Sequence, residues 1–273
     1  MSSALGNRFQ QSRVDPQVAG KRGEGLRFEH VSHSFRSRGG SLVSVLDDVE
    51  FDVASGEFVC VVGPSGCGKS TLLGLAAGFH RPTQGTIRWR GSAIAKPGPR
   101  CGLVFQTPEL YPWLTVWDNV MFGPKATGAR QQKAQAARDL LKEVGLVGFE
   151  RHRPHELSGG MQHRVALART LVTEPGLLLM DEPFAALDAQ TRQTMQALLL
   201  RIWQHHQRTV LFVTHDIEEA TLLADRVVVL SRRPARVREV IDIRLRRPRD
   251  PDLIFDAEFV ELRRRLRDSV LDR

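Results

Sequence analysis

Cysteine is scarce. Cys60, Cys67 and Cys101 are the only three in 273 residues, too few and too scattered for a disulfide framework or a zinc site. Cys60 and Cys101 fall at apolar, strand-like positions and read as plain core residues. No apolar run approaches the ~18–20 residues that a membrane span needs. The first 25 residues also lack the apolar centre of a signal peptide. The chain is therefore read as cytoplasmic and not self-inserting. Aromatics are sparse, and no basic stretch is interleaved with them. The net charge of +8 comes from arginines spread among acids, so no nucleic-acid partner is expected. There are no internal repeats and no low-complexity tracts.

What is present has a clear order. Residues 1–24 are polar and without period, and read as a disordered leader. LRFEHVSHSF (26–35), LVSVLDDVEFDV (42–53) and GTIRWRG (85–91) alternate apolar with polar and predict half-buried strands. FVCVVG (58–63), GLVF (102–105), LLLM (177–180), VLFVT (210–214) and VVVL (227–230) are continuous apolar runs, as in strands covered on both faces. Helical periods follow at 69–79, 129–146, 190–206 and 216–224, and an amphipathic helix closes the chain at 257–271. Buried strands alternating with helices predict a parallel α/β sheet. To it are added an antiparallel patch near the N-terminus and a helical insertion at about 107–160.

GPSGCGKST (63–71) follows a buried strand and opens a helix, the context that a phosphate-binding loop requires. Glycines at 63, 66 and 68 let the backbone turn tightly and aim successive N–H groups inward. The helix dipole adds to the same spot. Gly63, Pro64, Ser65, Gly66, Cys67, Gly68, Lys69, Ser70 and Thr71 are thus the candidate binding residues for a nucleoside triphosphate. Lys69 would reach the β- and γ-phosphates and Ser70 would ligate Mg²⁺. LLLMDEP (177–183) delivers two carboxylates at the C-terminal end of a buried strand, where open parallel sheets bind ligands. Asp181 would hold Mg²⁺ through its water shell, and Glu182 would orient and polarise the attacking water.

LSGGMQ (157–162) is a second potential anion cradle, but it has no lysine. Ser158, Gly159 and Gly160 at a helix start offer a hydroxyl and N–H groups as a lid rather than a full site. Taken with Gln106, Ala186–Asp188 and His215, these motifs resemble, in order and spacing, the nucleotide-binding subunit of an ATP-binding-cassette (ABC) transporter, from about residue 26 to 230. The resemblance implies a P-loop NTPase (RecA-like) core with an antiparallel β subdomain and an inserted α-helical signature subdomain. The implied boundaries are an ATPase domain at 25–243 and a C-terminal helical extension at 244–273. It also implies ATP and Mg²⁺ as cofactors, and a head-to-tail dimer in which the signature of one copy closes over the γ-phosphate held by the other. By the same resemblance Gln106 contacts Mg²⁺ and the water, His215 contacts the γ-phosphate, Asp188 couples the two sites and Phe35 stacks on adenine. His163 and Thr170 depart from the usual signature residues, and His163 reads as a helix-surface position. Cys67, inside the loop, predicts that thiol alkylation blocks ATP binding.

Three uses of such an engine remain open: an importer's cytoplasmic subunit, an export or lipid-trafficking subunit, and a non-transport ATPase of DNA or ribosomes. Roughly 90 residues separate Lys69 from Ser158 without heptads, and there is one cassette, which disfavours the last. YPWLTVWDNVMFG (111–123) places Tyr111, Trp113, Leu114 and Trp117 on the insertion. They are either a docking surface for a membrane subunit or ordinary core. The wording of this stretch, of MDEPFAALDAQTR (180–192) and of the Arg- and Pro-rich tail resembles the nitrate, sulfonate and taurine importer branch. That resemblance implies permease subunits and, indirectly, a solute-binding protein as partners, at the cytoplasmic face of the membrane.

Overall fold

The computed structural model describes residues 24–37 and 39–271. The expected leader therefore lies, apart from Glu24, outside the described residues. The alternating segments form an antiparallel sheet of β1 (Leu26–Arg36), β2 (Leu42–Val53), β4 (Gln84–Trp89) and β5 (Ser92–Ala93), in the order β2-β1-β4-β5. The continuous apolar runs form a second sheet of six strands. These are β3 (Phe58–Val62), β6 (Cys101–Val104), β7 (Leu177–Asp181), β8 (Thr209–Val213), β9 (Arg226–Leu230) and β10 (Val237–Asp242). Their order is β10-β9-β3-β8-β7-β6, all parallel except the edge strand β10.

Burial explains the two kinds of sequence. On β3, Phe58, Cys60 and Val62 enter one core, while Val59 and Val61 enter the other. β7, β8 and β9 divide their residues the same way, so neither face can be polar. One core lies between the two sheets and holds α1 (Lys69–Ala77). The opposite core holds α2 (Val116–Val120), α4 (Arg130–Glu143), α5 (Gly159–Leu171), α6 (Ala189–His206), α7 (Ile217–Leu223) and α8 (Ala257–Val270). A short α3 (Phe122–Ala126) connects α2 to α4.

The C-terminal tail is built into the fold. Arg247 pairs with Asp225 at 2.8 Å and lies 4.1 Å over the Trp203 ring. Buried Arg249 donates to the carbonyls of Leu222, Ala224, Ile243 and Leu245, closing the C-terminal end of α7. Phe259 and Leu266 then seat α8 in the core.

Candidate active site

Parallel strands point their C-terminal ends the same way. β3, β8, β7 and β6 lie side by side, so the segments that follow them share one edge of the sheet. β3 leads into the phosphate loop, β8 into His215, β7 into Asp181 and Glu182, and β6 into Gln106.

The loop closes on α1 through Gly68, whose φ of 119° is one that a residue with a Cβ rarely adopts. A Cβ there would also meet Val45 Cγ1 at 2.7 Å. No side chain caps α1, so the N–H groups of its first turn are left for an anion. Lys69 is only 6% exposed. Its ammonium donates to the carbonyls of Gly63 at 3.0 Å and Pro64 at 3.3 Å, folded back on its own loop.

Ser70 and Asp181, 111 positions apart in sequence, meet with Oγ–H donating to Oδ1 at 3.1 Å. Burial pushes the Asp181 carboxyl above its ordinary value, and the neighbouring Glu182 charge adds to this against the opposing pull of Ser70 and Lys69. A cation at this point would relieve that cost. Glu182 has a left-handed backbone, φ 45°, an arrangement that disfavours an ordinary L-residue. There its N–H still pairs with the Val213 carbonyl, and its Oε2 lies 2.8 Å from His215 Nδ1. The structure thus joins Ser70 to Asp181 and Glu182 to His215. It brings Phe35 into no contact with them: Phe35 stands on β1, edge-on to His33 and His80.

Ser158 caps α5, its Oγ accepting from Met161 N–H at 3.3 Å. Ser158 and Gly159 are exposed. Asp188 caps α6 by accepting from Thr191 N–H at 2.9 Å, a bond that holds its carboxyl below the usual range.

One expectation needs correction. His163 is buried rather than on the helix surface, at 6% exposure. Its Nδ1 lies 2.9 Å from the Gly159 carbonyl and its Nε2 3.2 Å from the Gln106 carbonyl, so it ties the signature helix to the loop after β6. One-dimensional periodicity gives no signal for this, because the partner loop is 57 residues away. Cys67 is also buried, and burial pushes its thiol up, both of which slow alkylation without bearing on what a modified thiol would do to ATP binding. Of the candidate docking residues Trp117 lies on α2, while Tyr111, Trp113 and Leu114 precede it in a loop of the insertion, with Trp113 68% exposed. Thr170, the other departure, is buried and packs on β6, where a Cβ on Gly102 would meet its methyl at 2.5 Å.

Comparison with known proteins gives a consistent result. The family described as ABC transporter matches residues 46–185. An uncharacterized ABC transporter ATP-binding protein of Methanocaldococcus jannaschii is 48% identical over 251 residues, covering 90% of this chain and 92% of that one. An aliphatic sulfonates import ATP-binding protein of Burkholderia cenocepacia is 50% identical over 207 residues, covering 76% of each chain. A taurine import ATP-binding protein of Burkholderia pseudomallei is 50% identical over 210 residues, covering 77% of this chain and 80% of that one. Among solved structures, a dimeric post-hydrolysis state of the ATP-binding cassette MJ0796, bound to ADP and Pi, is similar at a TM-score of 0.68 and 30% identity. It covers 81% of this chain and 100% of that one. With this match, and with its motifs assembled at one sheet edge, the chain belongs to the ABC transporter family and is an ATPase.

Proposed function

We propose that this chain is the ATP-hydrolysing subunit of an importer for small sulfonates such as taurine, working as a head-to-tail dimer beneath permease subunits at the cytoplasmic face of the membrane. The observation that carries the hydrolytic part is the pair of contacts at the strand ends, Ser70 with Asp181 and His215 with Glu182. The sulfonate part is supported by the relatives named for sulfonate and taurine import. Among the described residues no helix is long and apolar enough to cross a membrane, so passage of the solute falls to other subunits.

The donors fit Mg²⁺. Cis oxygens around an octahedral ion with bonds of about 2.0–2.1 Å lie about 2.9 Å apart. Ser70 Oγ and Asp181 Oδ1 stand at 3.1 Å. Both are hard oxygens, and burial raises the Asp181 carboxyl above its ordinary value even with Ser70 and Lys69 beside it. When bound, the ion supplies charge neutralisation at the phosphates; Ser70, Asp181 and the side chain of Gln106 would hold it.

The remaining steps belong to the protein. The uncapped first turn of α1 receives the phosphates, and Lys69 leaves the Gly63 and Pro64 carbonyls to meet them. Glu182 orients the water and draws its proton through a carboxylate fixed by His215. With Nδ1 occupied by Glu182, the His215 ring meets a γ-phosphate through Nε2 or by rotating. Phe35 presents an exposed aromatic face for adenine, and Phe serves stacking as well as Tyr does. The lid comes from Ser158–Gly160 of the second copy, and Asp188 lies on the same dimer face. ATP binding closes the dimer and rearranges the permease. Hydrolysis removes the γ-phosphate contact and reopens it. The exposed Trp113 and Phe122, beside the Gln106 loop, provide a surface on which a short permease helix docks.

Growth of a deletion strain on taurine, other sulfonates or nitrate as sole sulfur or nitrogen source tests the reading. Loss of growth on sulfonates alone is expected. Normal growth on every sulfonate, with loss on nitrate or loss of an export phenotype, would overturn the sulfonate assignment and leave the ATPase intact.

A further inference from the structure

Two long helices end at the same place on the surface, away from the carboxyl edge of the parallel sheet. α4 ends at Glu143 and α6 ends at His206, after 14 and 18 residues. His205 Nδ1 lies 3.7 Å from Glu143 Oε1, and His206 Nε2 lies 3.4 Å from Glu143 Oε2. One ligand atom from each of the three residues lies within 4.8 Å of the others. The helices are already tied there, since Arg201 donates to the Glu143 carbonyl at 3.0 Å.

A surface carboxylate beside imidazoles is ordinarily a weak ion pair worth about 0–1 kcal/mol. Two features set this one apart. Three donors converge within 4.8 Å of one another, and a tetrahedral ion with bonds of about 2.0–2.1 Å needs its ligands about 3.3 Å apart, which His206 Nε2 and Glu143 Oε2 meet at 3.4 Å and which a small turn of the exposed His205 ring brings within reach of the third. The C-terminal ends of α4 and α6 also meet there, so both helix dipoles present their negative poles to whatever sits between the side chains. Two imidazoles and one carboxylate select an ion of the zinc class over Mg²⁺ or Ca²⁺, which prefer oxygen.

We propose that Glu143, His205 and His206 form a binding site for a divalent transition ion such as Zn²⁺, which pins the last turn of α4 to the last turn of α6. The ion takes one carboxylate oxygen, His205 Nδ1 and His206 Nε2, with water completing its shell. The consequence reaches the nucleotide machinery from outside it. α4 packs against α5, where Arg164 donates to the Val144 carbonyl just past the end of α4. α6 is the helix that Asp188 caps at its other end. Pinning the two helix ends therefore restrains the inserted helical region relative to the sheet.

The full chain, treated with chelator and freed of nucleotide and Mg²⁺, is titrated with Zn²⁺ by calorimetry and with Co²⁺ by visible absorption. Wild type is expected to bind one Zn²⁺ with micromolar or tighter affinity and to give the intense Co²⁺ band of a four- or five-coordinate ion. The double variant His205→Ala/His206→Ala and the variant Glu143→Gln should each lose at least about tenfold in affinity, as loss of a ligand requires. Any Zn²⁺ taken by Asp181 is common to all three proteins and cancels in the comparison. Hydrogen exchange over residues 130–143 should slow on adding Zn²⁺ in wild type and stay unchanged in the double variant. Should the double variant not fold, His205→Gln, at a position whose side chain is 77% exposed, replaces it. Equal Zn²⁺ affinity in wild type and variant, or only millimolar binding, overturns the site. Binding without slowed exchange overturns the pinning.

Discussion

At the carboxyl edge of the parallel sheet, three of the candidate site side chains have a partner within their own chain. Lys69 rests on the Gly63 and Pro64 carbonyls, Ser70 on Asp181, and His215 on Glu182. At the start of α5, Ser158 and Gly159 are exposed, and the Ser158 hydroxyl bonds within its own helix. One region has its polar side chains paired with one another; the other offers an exposed hydroxyl and N–H groups at a helix start. Under the proposed dimer, the assembly of charge belongs to folding and the reversible contact to a second copy, so turnover would be gated by association.

The sharpest way to break this comparison is to disable each region separately. Glu182→Gln should retain ATP binding, lower kcat by about 10²–10⁴-fold and accumulate as an ATP-bound dimer in size-exclusion chromatography. Near-normal turnover would remove Glu182 from its role. Ser158→Arg should also abolish hydrolysis while the monomer still binds ATP. An equimolar mixture of these two inactive proteins is then expected to regain up to about a quarter of wild-type turnover, because half the dimers carry one intact site assembled from both chains. No recovery would mean that the two regions do not share a site.

Asp181 sharpens the comparison through pH. Its carboxyl is raised above its ordinary 3.8, so the folded chain keeps a proton that the unfolded chain has already lost. The associated stability is present below pH 3.8 and is lost as pH rises through the folded value. Asp181→Asn should flatten the unfolding profile just above that pH and raise the nucleotide-free midpoint at neutral pH by ~2 °C, while hydrolysis falls about 10²-fold. A lowered midpoint would show that burial of this charge is not a cost. The smallest effect is expected at Cys67. Iodoacetamide should modify it slowly in the native chain, and Cys67→Ala should bind ATP within about twofold of wild type, because the thiol packs in the core between the sheets. Rapid labelling with loss of ATP binding would put the thiol back in the cradle.

Much of this was legible in one dimension. The phosphate loop depends on local rules, glycines in a strand–turn–helix, and these act over a few residues. The pairing of Ser70 with Asp181 follows once FVCVV and LLLMD are read as strands of one parallel sheet, since parallel strands share a carboxyl edge. The alternating and continuous apolar runs separate the two sheets because burial on one face or on two leaves different periodicities. The tertiary structure alone decided the role of His163, whose ring is fixed by a carbonyl four residues back and another 57 residues away. It alone turned the Arg- and Pro-rich tail into a cap on α7, through Arg249 and its ring of carbonyls. It also hid the Cys67 thiol and brought the ends of α4 and α6 together. The reason is the same in each case. Period and propensity report which face of an element is buried, whereas the partner of a buried polar atom depends on which distant backbone groups the packing leaves in need of one.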